Sequence, residues 1–279
     1  MLNRLREFTR ALRAGADASR RTEYLLRRLL EEQALARIEA TPRYQDPRRL
    51  LSSGYKVFSQ NQEDGMIAEV FRRIGTTSRR FIEFGVETGL ECNSAFLLME
   101  GWSGAWIEGS PECAAKARAN FAGYPVEVEN SYITVENADA LISRLSGGEL
   151  DLLSIDIDTN DYWIWEAIKT VKPRLVVIEY NASFPPHVRK TVAHNPDMYW
   201  DGSNFSGASL GALEVLGRSK GYALVGCSLA GANAFFVRDD LVGEHFCAPF
   251  TAENHYEPPR YFLHGASGHR PGMGPWVGV

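Results

Sequence analysis

One short stretch, residues 80–89 with the sequence RFIEFGVETG, most constrains the fold of this chain. It reads as an apolar strand over 81–84 that contains an acid, Glu83. A glycine, Gly85, follows the strand directly, and Gly89 stands four residues further on. A short apolar run that stops at a glycine is typical of a central parallel strand entering a ligand-binding loop. Glycine lets the backbone turn tightly there and approach a ligand without a Cβ in the way. We therefore predict a buried central strand followed by a cofactor loop, and the alternative is an ordinary strand–turn–helix.

The spacing of the glycines argues against a dinucleotide-binding fold. That fold uses G-x-G-x-x-G, with the pyrophosphate at the N-terminus of a helix. Here Glu87 stands within the loop, and its carboxylate would repel a phosphate. A ligand that carries positive charge is favoured instead.

Apolar strand patterns alternate with helix patterns after residue 80. We predict strands over 81–84, 104–108, 125–129, 151–156 and 174–180, and helices over 92–100, 112–121, 136–145, 161–171 and 208–219. Alternation of this kind predicts an α/β fold, with a parallel sheet and helices on both faces.

The last two predicted strands, 221–229 and 233–239, are joined by only three residues. So short a link cannot hold a helical crossover, and the two strands must form an antiparallel hairpin. We therefore predict a Rossmann-like sheet that is mostly parallel and ends in an antiparallel C-terminal hairpin. A nicotinamide-type domain would have a sixth parallel strand in that place.

The two ends of the chain read differently from its centre. Residues 1–40 carry apolar positions at helical spacing, which predicts two helices with a break near Gly15, the second ending before Pro42. These helices either pack on the main domain or form an oligomer contact. We divide the chain into an N-terminal helical extension (1–50), a main domain (51–240) and an irregular C-terminal tail (241–279).

Composition excludes several classes of partner. A net charge of −5 gives no support for a nucleic-acid partner. No run approaches the roughly 18 apolar residues of a membrane helix. The four cysteines are far apart and form no C-x-x-C pair, which argues against a zinc site or a disulfide scaffold. We expect a cytoplasmic protein without a membrane partner.

Oxygen-bearing side chains crowd the ends of the fourth and fifth strands. SIDIDTND (154–161) carries Asp156 and Asp158, and IEYN (178–181) carries Glu179 and Asn181. Crowded carboxylates raise one another's pKa unless a cation or hydrogen-bond donors balance them. We predict a Mg²⁺-type metal site of Asp156, Glu179 and Asn181, which could also hold a substrate hydroxyl. Alternatively, the acids bind only a cofactor amino group and substrate hydroxyls.

Asp156 and Asp158 are also the candidate catalytic acids, and Asp158 could take a proton from the attacking group. His187 and His194, in a long insert over 184–209, are rival bases, although a histidine in a polar loop is more often a surface residue. Long loops at the ligand edge of a sheet tend to be functional. The polar and aromatic composition of this insert suits a hydroxylated acceptor such as a sugar.

Five motifs in order, SQNQEDG, FIEFGVETG, GWSGAWIEG, DLLSIDIDTNDYWIW and VVIEYN, resemble the FkbM-like branch of class I S-adenosylmethionine (SAM) methyltransferases. The resemblance covers about residues 55–240. It implies the class I methyltransferase sheet, SAM as cofactor, and O-methylation of sugars or natural products. The fourth-strand segment reads I-D-I-D-T instead of the commoner I-D-x-E-G. A looser likeness to metal-dependent catechol-type O-methyltransferases matches Asp156, while Glu179 and Asn181 are similar to their Asp-Asn pair but separated by Tyr180.

The resemblance assigns the cofactor loop to Glu83, Gly85 and Gly89, and the acid after the second strand to Glu108. A carboxylate at that strand end accepts both hydrogen bonds of a ribose diol. An exposed strand-end acid is the alternative. Asn130 or Ser131 would meet the adenine. The predicted cofactor-binding residues are Gln60, Glu83, Gly85, Gly89, Asn93, Glu108, Gly109, Asn130, Ser131 and Asp156.

These patterns together predict a SAM-dependent O-methyltransferase that acts on a hydroxyl of a small polar acceptor, a sugar or a natural product, with or without a divalent metal. N-methyl transfer and a non-catalytic scaffold with a SAM fold stay open, as does a nicotinamide oxidoreductase. A homo-oligomer formed through the N-terminal helices or the C-terminal tail also stays open.

Overall fold

The computed structural model describes residues 2–264 and 268–279. Its strands are β1 (Arg80–Phe84), β2 (Ser103–Glu108), β3 (Val126–Asn130), β4 (Leu152–Ile155), β5 (Leu175–Glu179), β6 (Lys190–Val192), β7 (Tyr222–Cys227), β8 (Asn233–Arg238) and β9 (Trp276–Gly278). Its α-helices are α1 (Leu2–Glu39), α2 (Glu63–Ile74), α3 (Ala95–Met99), α4 (Pro111–Asn120), α5 (Ala138–Ser146), α6 (Asp161–Ala167), α7 (Leu210–Ser219), α8 (Asp239–Val242) and α9 (Ala252–His255).

Seven of these strands form one sheet in the order β3-β2-β1-β4-β5-β8-β7. The first five strands of the chain pair in parallel, and β8 runs antiparallel between β5 and β7. The prediction of a Rossmann-like α/β fold, mostly parallel with an antiparallel C-terminal hairpin, is confirmed. The order reverses between β1 and β4, where ligands bind in open α/β sheets.

Both faces of the sheet are covered, and this explains why its strands read as continuous apolar runs. Along β8 the neighbouring residues Phe235 and Phe236 point into opposite core layers. Trp165 of α6 packs 4.8 Å from the ring of Phe236 on one side. Met66 and Ile67 of α2 are fully buried in the layer on the other side.

The N-terminal segment is one helix, α1, and the predicted break near Gly15 is wrong. A single glycine destabilises a helix interior by only about 1 kcal/mol, and the alanines at 14 and 16 favour the helix. The helix ends before Pro42, as predicted. Five large apolar side chains in its second half are exposed and do not pack on the sheet domain: Tyr24, Leu25, Leu26, Leu29 and Leu30. An oligomer contact through α1 stays a prediction.

The C-terminal segment contains short regular elements that its sequence did not indicate. Besides α8 and α9, β9 pairs antiparallel with β6 in the insert. The buried carboxylate of Glu257 accepts hydrogen bonds from Arg43, Tyr44 and Arg260, which ties the segment to the chain before the sheet. The proposed domain boundaries stay a prediction. None of the helices in the described part of the chain is long and apolar enough to cross a bilayer.

Candidate functional site

A cavity of about 950 Å³ opens at the carboxyl ends of the parallel strands. Its walls come from the segments that follow β1, β2, β3 and β4, and from the insert around residues 196–200. The cavity therefore lies at the reversal of strand order, where the sequence places its glycine loop and strand-end acids.

Gly85 is held against the end of β4. Its φ is +72°, and a Cβ added there would lie 1.7 Å from the carbonyl oxygen of Asp156. No side chain fits at this position, so the glycine brings the two central strand ends together. Gly89 also has a positive φ, but it packs against the rings of Trp106 and Phe121 and does not line the cavity.

The end of β2 is fastened to the glycine loop through Glu108. The backbone N–H of Glu87 donates to Oε2 of Glu108 at 2.7 Å, and that of Ser110 donates to Oε1 at 2.7 Å. Glu87 adopts a left-handed conformation, with φ +48°. Each carboxylate oxygen keeps a second lone pair, so Glu108 can still accept a hydrogen bond from a ligand.

The neighbours of Glu108 divide into lining and supporting residues. Ser131 and Gly109 line the cavity, and a Cβ at Gly109 would lie 2.6 Å from the Tyr132 ring. Asn130 donates from Nδ2 to the backbone oxygens of Glu108 and Gly109 at 2.8 and 3.1 Å, and it lies outside the lining. The structure thus places Asn130 behind the cavity wall.

Glu83 is buried beneath the glycine loop. It accepts hydrogen bonds from the backbone N–H groups of Asn93 and Ser94 at 2.8 and 2.9 Å, and from the Ser94 hydroxyl. Burial raises the pKa of Glu83, and the donors from Ser94 and Asn93 oppose that rise. The carboxylate reaches the cavity edge together with Asn93, but its bonds hold the segment that leads into α3.

Three acids converge behind the cavity: Asp156, Asp161 and Glu179 each offer an oxygen within 4.8 Å of the others. Burial first, and then the surrounding carboxylates, raise the pKa of Asp156 and of Glu179 well above the usual range. Burial raises the pKa of Asp161 to about 7. Sequence reasoning missed Asp161, the first residue of α6, although its place three residues after Asp158 was a signal.

Asp158 lies beside this cluster and lines the cavity, with φ +65°. A left-handed backbone at a residue other than glycine is uncommon and is often found at functional sites. Burial and the nearby Glu87 carboxylate raise the pKa of Asp158, and His269 opposes the rise. The side chain remains exposed to the cavity.

The structure does not bring Asn181, His187 and His194 to the cavity. Asn181 donates from Nδ2 to the carbonyls of Asn204 and Ser206 at 2.8 and 2.9 Å, and its Oδ1 accepts from the N–H of Ser183. It therefore braces the insert. His187 and His194 are exposed and lie outside the cavity lining, because the insert carries them away from the strand ends.

Aromatic rings stand at the mouth of the cavity. Tyr132, after β3, meets Tyr199 of the insert edge to face, with ring centroids 6.4 Å apart. Trp200 lines the same side and donates from Nε1 to the Ser203 carbonyl at 2.7 Å. Sequence reasoning noted the aromatic character of the insert without naming these residues.

The charge of the cavity has one sign. Six carboxylates line it, namely Glu83, Glu87, Glu91, Glu108, Asp156 and Asp158. No lysine, arginine or histidine is among its described lining residues, although Lys56 stands 3.8 Å from Glu91 beside it. A cavity of this kind attracts cations and repels phosphates. Gln60 and Asn233 complete the lining on the side of α2 and β8.

No model of a known protein family matches this chain, and no curated protein matches its sequence. Among solved structures, it is similar to the CMeT domain of the citrinin polyketide synthase, with a TM-score of 0.44 and 14% identity over 64% of this chain and 51% of the other. This chain thus spans about half of that one.

Two further solved structures are similar. An O-methyltransferase from Bacillus cereus in complex with SAH has a TM-score of 0.41 and 16% identity over 75% of this chain and 90% of the other. CalS10, an amino pentose methyltransferase from Micromonospora echinaspora bound to SAM, has a TM-score of 0.41 and 14% identity over 64% and 92%. Likenesses this distant carry no argument, so the fold assignment rests on the strand order of this chain.

Proposed function

We propose that this protein is a SAM-dependent methyltransferase. The observation that carries the proposal is a cavity at the sheet reversal that combines a glycine loop, a strand-end acid at Glu108 and a lining of six carboxylates. When bound, SAM supplies an electrophilic methyl group on a positively charged sulfur, and it also carries an ammonium group. Both positive groups suit an acidic lining, whereas a dinucleotide would place its pyrophosphate against the same carboxylates.

The cavity offers one group for each part of SAM. The free lone pairs of Glu108 suit the two hydroxyls of a ribose. Ser131 and Tyr132 line the adjoining side, where an adenine would lie. The end of β4 at Asp156 adjoins the Gly85 turn and suits the ammonium. Asn130, Glu83 and Gly89 would act by holding these elements in place.

A hydroxylated acceptor is the substrate class that we propose. Asp158 lines the cavity and is exposed to it, so it can accept a proton from an attacking hydroxyl. The rings of Tyr199 and Trp200 give an apolar face on which a sugar or other ring can rest. Catalysis would rest mainly on placing the oxygen in line with the methyl group. A divalent metal near Asp156 would assist by lowering the pKa of the hydroxyl.

N-methylation is the second candidate, because an acidic cavity also attracts a protonated amine. A non-catalytic SAM-binding scaffold is the third. A panel of sugar and phenolic hydroxyl acceptors, assayed beside matched amines, separates them. Methyl transfer to oxygen supports the proposal, and transfer to nitrogen supports the second candidate. SAM binding without turnover on any acceptor would favour the scaffold.

A further inference from the structure

Three carboxylates from separate elements meet behind the cavity. Asp156 follows β4, Asp161 begins α6 and Glu179 ends β5, and one oxygen from each lies within 4.8 Å of the others. Oxygen ligands bind Mg²⁺ at about 2.1 Å and Ca²⁺ at about 2.3–2.6 Å, so oxygens on opposite sides of one ion stand about 4–5 Å apart. The separation of the three carboxylates fits a shared ion.

A second observation points to a missing partner in the same place. Oδ1 of Asp161 accepts the N–H of Ile157 at 2.8 Å, but Oδ2 is buried and has no hydrogen-bond partner in the described part of the chain. Leaving a buried carboxylate oxygen unpaired is unfavourable. Asp161 is fully buried, so bulk water does not satisfy it.

The side-chain amide of Asn233 also has a buried oxygen without a hydrogen-bond partner among the described residues. Asn233 stands directly opposite Glu179 in the β5–β8 pair, so the two side chains lie on one face of the sheet. Its Nδ2 donates to Glu63 at 3.1 Å, while its buried Oδ1 has no partner among the described residues. One unpaired oxygen therefore belongs to the carboxylate cluster, and a second belongs to Asn233 on the sheet face that carries Glu179.

Protein cations do not fill this role. Within the described ranges, no lysine, arginine or histidine forms an ion pair with Asp156, Asp161 or Glu179. We infer that Asp156, Asp161 and Glu179 bind a divalent cation of the Mg²⁺ type, with Asp161 as a ligand that no sequence motif assigned. The ion compensates the crowded carboxylates and gives the unpaired Oδ2 its partner.

This ligand set differs from the one expected from sequence. Asn181 is engaged with two carbonyls of the insert and with the N–H of Ser183, and Asp161 takes the third position instead. Of the three ligands only Asp156 also lines the cavity. Asp161 and Glu179 would therefore hold the ion from behind the lining, and Asp156 would hold it on the side of the cavity. The consequence for an acceptor hydroxyl rests on the proposed function, but the ion site itself does not.

The test uses Mn²⁺, a spectroscopic substitute for Mg²⁺, titrated into the EDTA-treated full chain and followed by the loss of the free-ion electron paramagnetic resonance signal. The inference predicts one site that Mg²⁺ competes for. Asp161→Asn should weaken binding by more than about tenfold, as should Glu179→Gln. Glu112→Gln, which removes an exposed carboxylate that pairs with Lys116 outside the cavity lining, should bind as the parent does.

Thermal unfolding provides a readout that does not depend on binding signals. Without metal, Asp161→Asn should unfold at a temperature equal to or above that of the parent, because it removes a buried acid from a crowded cluster. With Mg²⁺, the parent should gain thermal stability and the variant should not. A variant that folds and still binds Mn²⁺ as tightly as the parent would overturn the role of Asp161.

A parent chain that binds no Mn²⁺ would overturn the site itself. SAM binding, measured separately, distinguishes this failure from failure of the proposed function. SAM binding without metal binding leaves the methyltransferase proposal standing and removes the ion. Metal binding without SAM binding leaves the ion site standing and removes the methyltransferase proposal.

Discussion

The backbone N–H of Glu87 donates to Oε2 of Glu108 at 2.7 Å, and this bond joins the glycine loop after β1 to the end of β2. Glu87 holds a left-handed backbone at this point. One carboxylate therefore fixes the shape of the loop and also presents its remaining lone pairs to the cavity. Under the proposed function, Glu108 therefore serves both the shape of the loop and the binding of the ligand.

Glu108→Ala should consequently weaken SAM binding by at least about tenfold, because it removes a bidentate acceptor and releases two backbone donors. Calorimetric titration of SAM measures the change. Glu112→Ala is the matched control, since Glu112 is an exposed acid on the next helix that pairs with Lys116. Equal affinity in the Glu108 and Glu112 variants would contradict the ribose-binding role.

Gly85→Ala should lower the free energy of unfolding by several kcal/mol. The added Cβ would meet the Asp156 carbonyl at 1.7 Å, in addition to the penalty of φ +72°. Gly147→Ala is the control, because Gly147 is left-handed, with φ +63° and ψ 18°, and an added Cβ would come no closer than 3.6 Å to a neighbouring atom. It should show only the backbone penalty, about 1–2 kcal/mol. Chemical denaturation measures both, and equal losses would contradict the close approach.

Glu83→Ala should destabilise the fold by about 3 kcal/mol, because the buried N–H groups of Asn93 and Ser94 lose their acceptor. Glu91 lies on the same connection between β1 and α3 but is exposed. Glu91→Ala should therefore change the free energy of unfolding by no more than about 0.5 kcal/mol. Urea denaturation of the two variants gives the comparison. A Glu83 variant of parental stability that has lost SAM binding would instead assign Glu83 to direct ligand contact.

Trp200→Ala should raise KM for the acceptor without changing the affinity for SAM. The ring lies on the insert and belongs to the face of the cavity proposed for the acceptor. Initial-rate kinetics and SAM titration separate the two effects. Tyr24→Ala, an exposed aromatic residue on α1, serves as the control and should change neither value. A loss of SAM affinity in Trp200→Ala would show that the ring contacts the cofactor and not the acceptor.

His255 should make the fold less stable in acid. Burial first, and then the nearby Arg49 guanidinium, lower the pKa of His255 from its usual 6.5 to about 3. Below pH 6.5 the unfolded chain binds a proton that the folded chain does not. Stability is therefore lost as the pH falls from about 6.5 toward about 3, with a slope of up to about 1.4 kcal/mol per pH unit.

Urea denaturation between pH 7 and pH 4 measures this loss in the parent and in His255→Gln. Carboxylates elsewhere in the chain titrate over the same pH range. The informative quantity is therefore the difference between parent and variant in the stability lost on acidification. The parent should lose more stability than the variant on acidification. Parallel losses would show that His255 makes no contribution.

Sequence patterns predicted the sheet well because its information is local. Continuous apolar runs in β1 and β4 report burial on both faces, and a three-residue link can only join antiparallel strands. The predicted break at Gly15 is wrong because the low helix propensity of one glycine was given too much weight against a long run of helix-forming residues. The pairing of β9 with β6 depends on contacts between residues more than eighty positions apart, which no local pattern records.

The site was predicted in part for the same reason. Strand ends fix where Glu108, Asp156 and Asp158 lie, so the sequence could place them at one edge. It could not tell lining residues from supporting ones. Asn130 and Gly89 are neighbours in sequence of residues that line the cavity, yet neither of them lines it. The insert runs without a regular pattern, and only the structure separates Tyr199 at the cavity from His194 outside it.

SAM binding is tested by a pair of calorimetric titrations of the unmodified chain, one with SAM and one with NAD. The acidic cavity predicts saturable 1:1 binding of SAM, weakened by salt because the attraction is electrostatic, and no binding of NAD. Binding of NAD, or the absence of SAM binding with and without Mg²⁺, would contradict the account.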